Sequence, residues 1–216
     1  MALNLLFFGD IHGDFAPVVD KAYEEELEAI ILLGDQCPEE TMDKILARVR
    51  CPVYFILGNH DSDRPLWLRN HFPAWEQNIG LKIVTIAGFR IAALPGVFRG
   101  QIWHPKEGIR WHTRQDFMAH MRRGSGFENG LPLKHWTSIF PEDFDVLVKQ
   151  GPADILACHE APSNHRHGFR EIDELAGLLQ VKTIVHGHQH EYYEDKLENG
   201  TKVVGLNGHG IFYLQK

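Results

Sequence analysis

The sequence predicts an α/β fold with a parallel core. Three strand, loop, helix units follow one another between residues 3 and 61, and each apolar run halts at Gly-Asp or Gly-Asn, where a strand hands over to a loop. Composition agrees: with 44% hydrophobic and 24% charged residues the chain matches an ordinary soluble protein, which excludes disorder, collagen and coiled coil. Its 216 residues suit a single domain spanning 1–216.

Residues 3–8 read as a buried strand delivering its carboxyl end to Gly9-Asp10. Pro17 opens a helix in which Val18, Val19, Ala22, Tyr23 and Leu27 face inward while Glu24, Glu25, Glu26 and Glu28 face water. Residues 30–33 form a second strand ending in Gly34-Asp35, and a helix over 41–50 leads to a third, 53–57, ending in Gly-Asn-His-Asp. Residues 81–87 and 89–94 flank Gly88 and predict an antiparallel hairpin, hence a second or mixed sheet. Next come a helix over 141–150, a strand over 154–157 ending in His159-Glu160, a helix over 171–180, and a strand over 182–185 that runs into Gly-His-Gln-His. The tail reads as three short strands, 192–197, 202–206 and 211–214, separated by Asn199-Gly200 and Asn207-Gly208.

Twenty-two basic and 29 acidic residues leave a net charge of −7, which disfavours a nucleic-acid or anionic-membrane binder. The apolar opening is too short for a signal core or a membrane span. Cys37, Cys51 and Cys158 lack metal-finger spacing and fit a reducing compartment, so a cytoplasmic location is expected. Fourteen histidines exceed what packing requires and point toward metals. Five predicted strands end in metal-competent side chains: Asp10 and His12, Asp35, Asn59 and His60, His159, and His188 and His190. In open α/β sheets the functional crevice lies outside the strand carboxyl ends, so these distant residues can converge.

The ordered set GDIH, GDQ, GNHD, a lone His after a strand, and GHQH resembles the calcineurin-like metallophosphoesterase superfamily, over residues 9–190. That resemblance implies a four-layer αββα sandwich of two mixed sheets flanked by helices. It implies Asp10, His12, Asp35 and His190 around one divalent ion and Asp35, Asn59, His159 and His188 around a second, with Asp35 bridging. Mn²⁺ is the first choice for such oxygen and imidazole ligands, with Fe, Co²⁺, Ni²⁺ or Zn²⁺ as alternatives. The implied activity is hydrolysis of a phosphomonoester or phosphodiester by in-line attack of a hydroxide bridging the ions, with His60 resembling the family's non-ligand histidine beside the leaving oxygen. Two alternatives stand beside it: pyrophosphate cleavage in a nucleotide or dinucleoside polyphosphate, and a catalytically silent scaffold of the same fold. The partner expected is a small anionic phosphate compound, and the oligomeric state is left open. GDIHGD is close to the phosphoprotein phosphatases and diadenosine tetraphosphate hydrolases, but the second motif here, Gly34-Asp35-Gln36-Cys37, lacks the Asp and Arg that follow in those relatives. The chain is therefore placed among the smaller, prokaryotic-type members.

Other residues carry two readings each. Asp61 either orients His60 as a catalytic partner or caps a turn. Arg64 is read as solvated, Cys158 as a small buried residue, and His186 as a buried hydrogen-bonded histidine. His165 and His167 are either substrate contacts or surface histidines. Residues 99–136 form a basic insertion with seven positive and three negative side chains. It either gathers an anionic substrate through Arg99, Arg110, Arg114, Arg122 and Arg123, with Trp103, Trp111 and Trp136 as stacking faces, or packs as a surface insertion.

Overall fold

A computed structural model describes residues 4–122, 124 and 126–215; Leu3 and Arg123, both named above, lie outside the described residues. In chain order the elements are β1 (Asn4–Phe8), α1 (Ala16–Glu24), β2 (Ala29–Leu32), α2 (Met42–Leu46), β3 (Val53–Phe55), α3 (Pro65–His71), β4 (Ile83–Ile86), β5 (Phe89–Leu94), β6 (Trp103–His104), β7 (Gly108–Ile109), α4 (Arg114–His120), α5 (Pro141–Lys149), β8 (Ile155–Cys158), α6 (Arg170–Leu178), β9 (Thr183–His186), β10 (Tyr193–Lys196), β11 (Lys202–Gly205) and β12 (Ile211–Gln215).

Successive side chains of a strand point to opposite faces, and the central strands are apolar on both, so each sheet must be covered twice. β1 sends Leu5 and Phe7 one way and Leu6 and Phe8 the other, all buried. One sheet has the order β12-β1-β2-β3 and the other β10-β11-β9-β8-β5-β4. Parallel pairing runs through β1, β2 and β3 and through β11, β9, β8 and β5, while β12, β10 and β4 add antiparallel edges. Between the sheets Phe7 and Ile31 pack with Ile91, Val185 and Val204. Outside them, Phe8 and Leu32 meet Val18 of α1, Ile45 of α2 and Leu68 of α3, and Leu156 and Ile184 meet Leu147 of α5 and Leu175 of α6. The result is the expected αββα sandwich.

Local departures have local causes. Tyr23 is 53% exposed, not inward, and its ring lies under the Arg50 guanidinium at 3.9 Å. The helix expected over 41–50 stops at Leu46, because the N–H groups of Arg48 and Val49 turn to carbonyls three residues back and tighten the chain before Pro52. The β4–β5 hairpin turns on Ala87 and Gly88 together, both left-handed at φ 50° and 75°, the two-residue turn that matches strand twist. Asn199-Gly200 joins the antiparallel pair β10 and β11, but Asn207-Gly208 is no hairpin turn: β11 and β12 lie in different sheets. α3 was not anticipated, although Pro65 at its first turn is a recognisable start.

The basic stretch 99–136 holds β6, β7 and α4, the last capped by Thr113, whose hydroxyl accepts the Asp116 N–H at 3.0 Å. Its tryptophans pack inward. Trp103 meets Phe98 and Phe144 with ring centroids 4.7 and 5.2 Å apart, Trp111 meets Phe117 at 5.9 Å, and Trp136 meets Phe72 at 5.7 Å. Arg114 is likewise committed to the protein: its guanidinium forks onto Asp143, with NH2 donating to Oδ2 at 3.0 Å, and NH1 donates to Glu142 at 3.1 Å. Asp143 sits in the first turn of α5 with its side chain 1% exposed, and a carboxylate so buried needs a cation. Arg114→Ala should therefore lower unfolding stability by about 3 kcal/mol in urea titrations while leaving KM for an anionic ester unchanged. A raised KM with stability intact would restore Arg114 to substrate binding.

Candidate metal centre

Parallel pairing brings the carboxyl ends of neighbouring strands level. Phe8 pairs with Leu32, so Asp10 and His12 emerge beside Asp35, and Cys158 pairs with His186, so His159 emerges beside His188 and His190. Two groups of ligand atoms, each within 4.8 Å of one another, result: His12, Asp35 and His190, and Asp35, His159 and His188. Asp35 belongs to both. Asn59 joins the second group through Oδ1, 3.0 Å from His159 Nε2. Asp10 borders both, 3.9 Å from His190 Nε2 and 3.5 Å from His159 Nδ1, while its oxygens accept the His188 N–H at 2.9 and 3.2 Å.

These side chains fit divalent ions. Asp35 Oδ2 is buried without a hydrogen-bond partner among the described residues, an acceptor that a cation satisfies. His12 and His190 turn their Nε2 atoms toward each other at 3.3 Å, close to the ~3.0–3.4 Å that separates two nitrogens each bound to one ion at about 2.1 Å. His159 gives its Nδ1 proton to the Leu33 carbonyl at 2.7 Å, which turns Nε2 toward Asn59 and Asp35.

The backbone pays a conformational cost to reach this arrangement. His12, Asp35, His188 and His190 all adopt left-handed φ, between 43° and 70°, where residues with a Cβ are uncommon. Two glycines permit the closeness. A Cβ on Gly34 would lie 2.4 Å from His159 Nδ1, and one on Gly58 would lie 2.3 Å from Asp35 Oδ1.

Charge at the site is concentrated on His159. Burial opposes a charged ring there, yet Asp35 and Asp10 beside it raise its pKa to about 10. Burial would lift the Asp35 carboxyl, but His159 and the His60 N–H outweigh it and hold Asp35 below the ordinary range. Burial also raises Asp10 and lowers His12, and it brings His188 down to about 3.

The remaining candidates divide. His60 lies beside His12, ring centroids 5.5 Å apart, and its Nδ1 meets Asp63 Oδ2 at 2.6 Å. Asp61 does not orient it. That carboxylate is buried and accepts the N–H groups of Cys37 and Gly58 at 2.8 Å each, tying the Asp35 loop to the Asn59 loop. Arg99 reaches the site edge, with NH2 3.4 Å from the Asn59 carbonyl and NH1 on the Thr137 and Ser138 hydroxyls. Arg110 stays on the surface, 4.0 Å from Glu107, and Arg64 pairs with Glu39 at 2.6 Å. His165 is buried, stacks on Tyr193 and faces Glu191 at 3.4 Å; His167 is exposed, with its N–H on His165. His186 is buried between the Gly187 carbonyl and the Tyr193 hydroxyl, and burial raises the Cys158 thiol, which leaves it inert.

Sequence reasoning missed Asp63, Glu160 and His209. Asp63 was findable as an acid three residues after His60. Glu160 is buried beside His159, accepts the Phe98 and Ala161 N–H groups, and is raised by burial to about 7. His209 sits on the crossing loop between sheets, donates its N–H to the Asp10 carbonyl at 3.1 Å and faces Asp14 at 3.7 Å.

A two-sheet sandwich with histidines, carboxylates and an amide gathered at its strand ends has the architecture of a metallophosphoesterase. The chain belongs to the calcineurin-like phosphoesterase family, which matches residues 3–192. That family depends on two metal ions. An uncharacterised protein of Haemophilus influenzae is 36% identical over 210 residues, covering 94% of this chain and 90% of that one. Among solved structures, TT1561 of Thermus thermophilus superposes with a TM-score of 0.63 at 16% identity, covering 100% and 99% of the two chains. A dimetal phosphatase from Danio rerio does so with a TM-score of 0.60 at 11% identity, covering 98% and 91%. At such identities these two likenesses concern the fold alone. Among the described residues no helix is long and apolar enough to cross a membrane.

The proton on His159 gives a test. A ligand nitrogen must be free of its proton, so metal uptake at pH 7 should release about one proton from this ring. Apparent affinity should then weaken about tenfold per unit as pH falls from 9 to 7. Calorimetric titration with Mn²⁺ in two buffers of different ionisation enthalpy measures the release; heats identical in both would remove His159 from the ligand set.

Proposed function

We propose that the protein hydrolyses a phosphomonoester or phosphodiester with two divalent ions, Mn²⁺ by first choice. The observation that supports this most is the pair of ligand groups sharing the buried Asp35 carboxylate. Asp10, His12, Asp35 and His190 would hold one ion, and Asp35, Asn59, His159 and His188 the other. Bound there, the ions would supply Lewis acidity toward phosphate oxygens and acidify a water.

The chain's own groups supply the rest. His60 is 46% exposed in its side chain and adjoins the ligand His12, so it can reach a substrate that sits over the metal groups. Nδ1–H donates to Asp63, which fixes the ring, and in the imidazolium form the second proton, on Nε2, would be the one given to a departing oxygen. Arg99 brings a positive charge to the same edge while bracing the Asn59 carbonyl.

A complete ligand set with a non-ligand histidine beside it supports an enzyme over a silent scaffold. Of the insertion's tryptophans whose stacking on a base would favour the pyrophosphate reading, Trp103 and Trp111 pack against protein rings, while Trp136 also lines a cavity.

His60→Asn should leave metal content unchanged and lower kcat by roughly 10²–10⁴, the range for a positioned general acid. The loss should be larger for an alkyl ester than for a nitrophenyl ester, whose leaving group departs as the anion. Asp63→Asn should show the same leaving-group trend at smaller size. A His60 variant that loses metal would make this ring a ligand and overturn the assignment.

A further inference from the structure

A cavity of about 320 Å³ lies between the segments that follow β3 and β5 and the insertion. Its walls come from Leu57 after β3, Pro95 after β5, Trp75, and Met118, Leu131 and Trp136 of the insertion. The volume falls at the lower end of the range for small-molecule sites, and the lining is apolar and aromatic as such sites usually are. Trp75 and Trp136 meet at 77° with centroids 6.4 Å apart, so two indole surfaces border one space at right angles.

The polar groups on this cavity select among ligands. Asn78 is 8% exposed and lines it. Its Oδ1 accepts the Gly80 N–H at 2.8 Å, which fixes the orientation of the amide, and its NH₂ has no acceptor among the described residues. An unpartnered donor on a residue that lines the cavity is matched by a ligand bearing an acceptor. Arg114 also borders the space, but its guanidinium is held by the carboxylates of Asp143 and Glu142 and is not free to pair with an anionic ligand.

We propose that this cavity binds an uncharged planar aromatic group carrying a hydrogen-bond acceptor, an aryl amide or a nucleobase-like heterocycle, held by the two indoles and the Asn78 NH₂. Such a group could belong to the substrate or to a separate effector. Either way its binding bears on the metal loops: Leu57 is two residues from Asn59, and Trp136 adjoins Thr137, whose carbonyl and hydroxyl hold Arg99 against the Asn59 carbonyl.

Benzamide, benzoate and toluene, added to the full-length protein, test this by saturation-transfer NMR and quenching of tryptophan emission. Benzamide should bind, and benzoate and toluene should bind more weakly. Asn78→Asp keeps the acceptor for Gly80 while removing the donor, and should weaken benzamide about five- to tenfold, one hydrogen bond's worth. Met118→Trp, at a half-exposed helix position that tolerates a larger side chain, should fill the space and abolish binding while circular dichroism stays native. Competition between benzamide and a small phosphoester would assign the cavity to the substrate's own ring; a non-competitive change in rate would assign it to an effector. No benzamide binding by the unaltered protein, benzoate binding as well as benzamide, or undiminished binding in Met118→Trp would overturn the proposal, and none of these outcomes bears on whether the metal centre is active.

Discussion

Asp35 is a fully buried carboxylate at the end of a central strand, and the architecture around it is arranged to make that position tenable. One oxygen accepts the His60 N–H at 2.7 Å, and the other has no hydrogen-bond partner among the described residues, with the His159 ring 3.4 Å away. A buried charge of this kind is costly unless a cation answers it. Without metal, the proton on His159 provides that charge; divalent ions, if held there as proposed, would answer it more strongly. The glycines at 34 and 58, the left-handed ligands and the level strand ends all serve to bring imidazoles within reach of one carboxylate.

The loops that carry these ligands are cross-braced beneath the surface. Asp61, raised by burial and by Asp35 to about 7, bonds the N–H groups of both Cys37 and Gly58, so the Asp35 and Asn59 loops cannot part without leaving a buried carboxyl unsatisfied. From above, Arg99 joins the Asn59 carbonyl to Thr137 and Ser138, and Ser62 meets the Thr137 hydroxyl at 2.6 Å. The insertion thus begins and ends on the Asn59 loop, which gives it a mechanical connection to the metal centre that its net charge alone does not require.

Much of this was legible in the sequence because strand periodicity and the Gly-Asp or Gly-His terminators lie in the chain's local pattern. Asp10, Asp35, His159 and His188 each follow an apolar run, and parallel pairing does the rest. Which partner a polar side chain takes was not legible. Residues 60–62 form a tight three-residue-per-turn helix, so the acid three positions on, Asp63, returns to the His60 ring, while Asp61 points down toward Gly58 and Cys37. Counting charges in the insertion likewise could not show that Arg114 answers a buried Asp143 across 29 residues. The role of Asn207-Gly208 depended on β11 and β12 lying in different sheets, a fact of topology and not of turn chemistry.

Metal content measures directly whether the Asp35 carboxylate serves two ions. The unaltered protein, loaded with Mn²⁺ and freed of excess ion, should retain two ions per chain by elemental analysis, in line with the two ligand groups. Asp35→Ala should lose both together, since each group loses the ligand they share. A variant that keeps one ion at undiminished affinity would contradict the account, because it would show that the two positions do not depend on a common bridge.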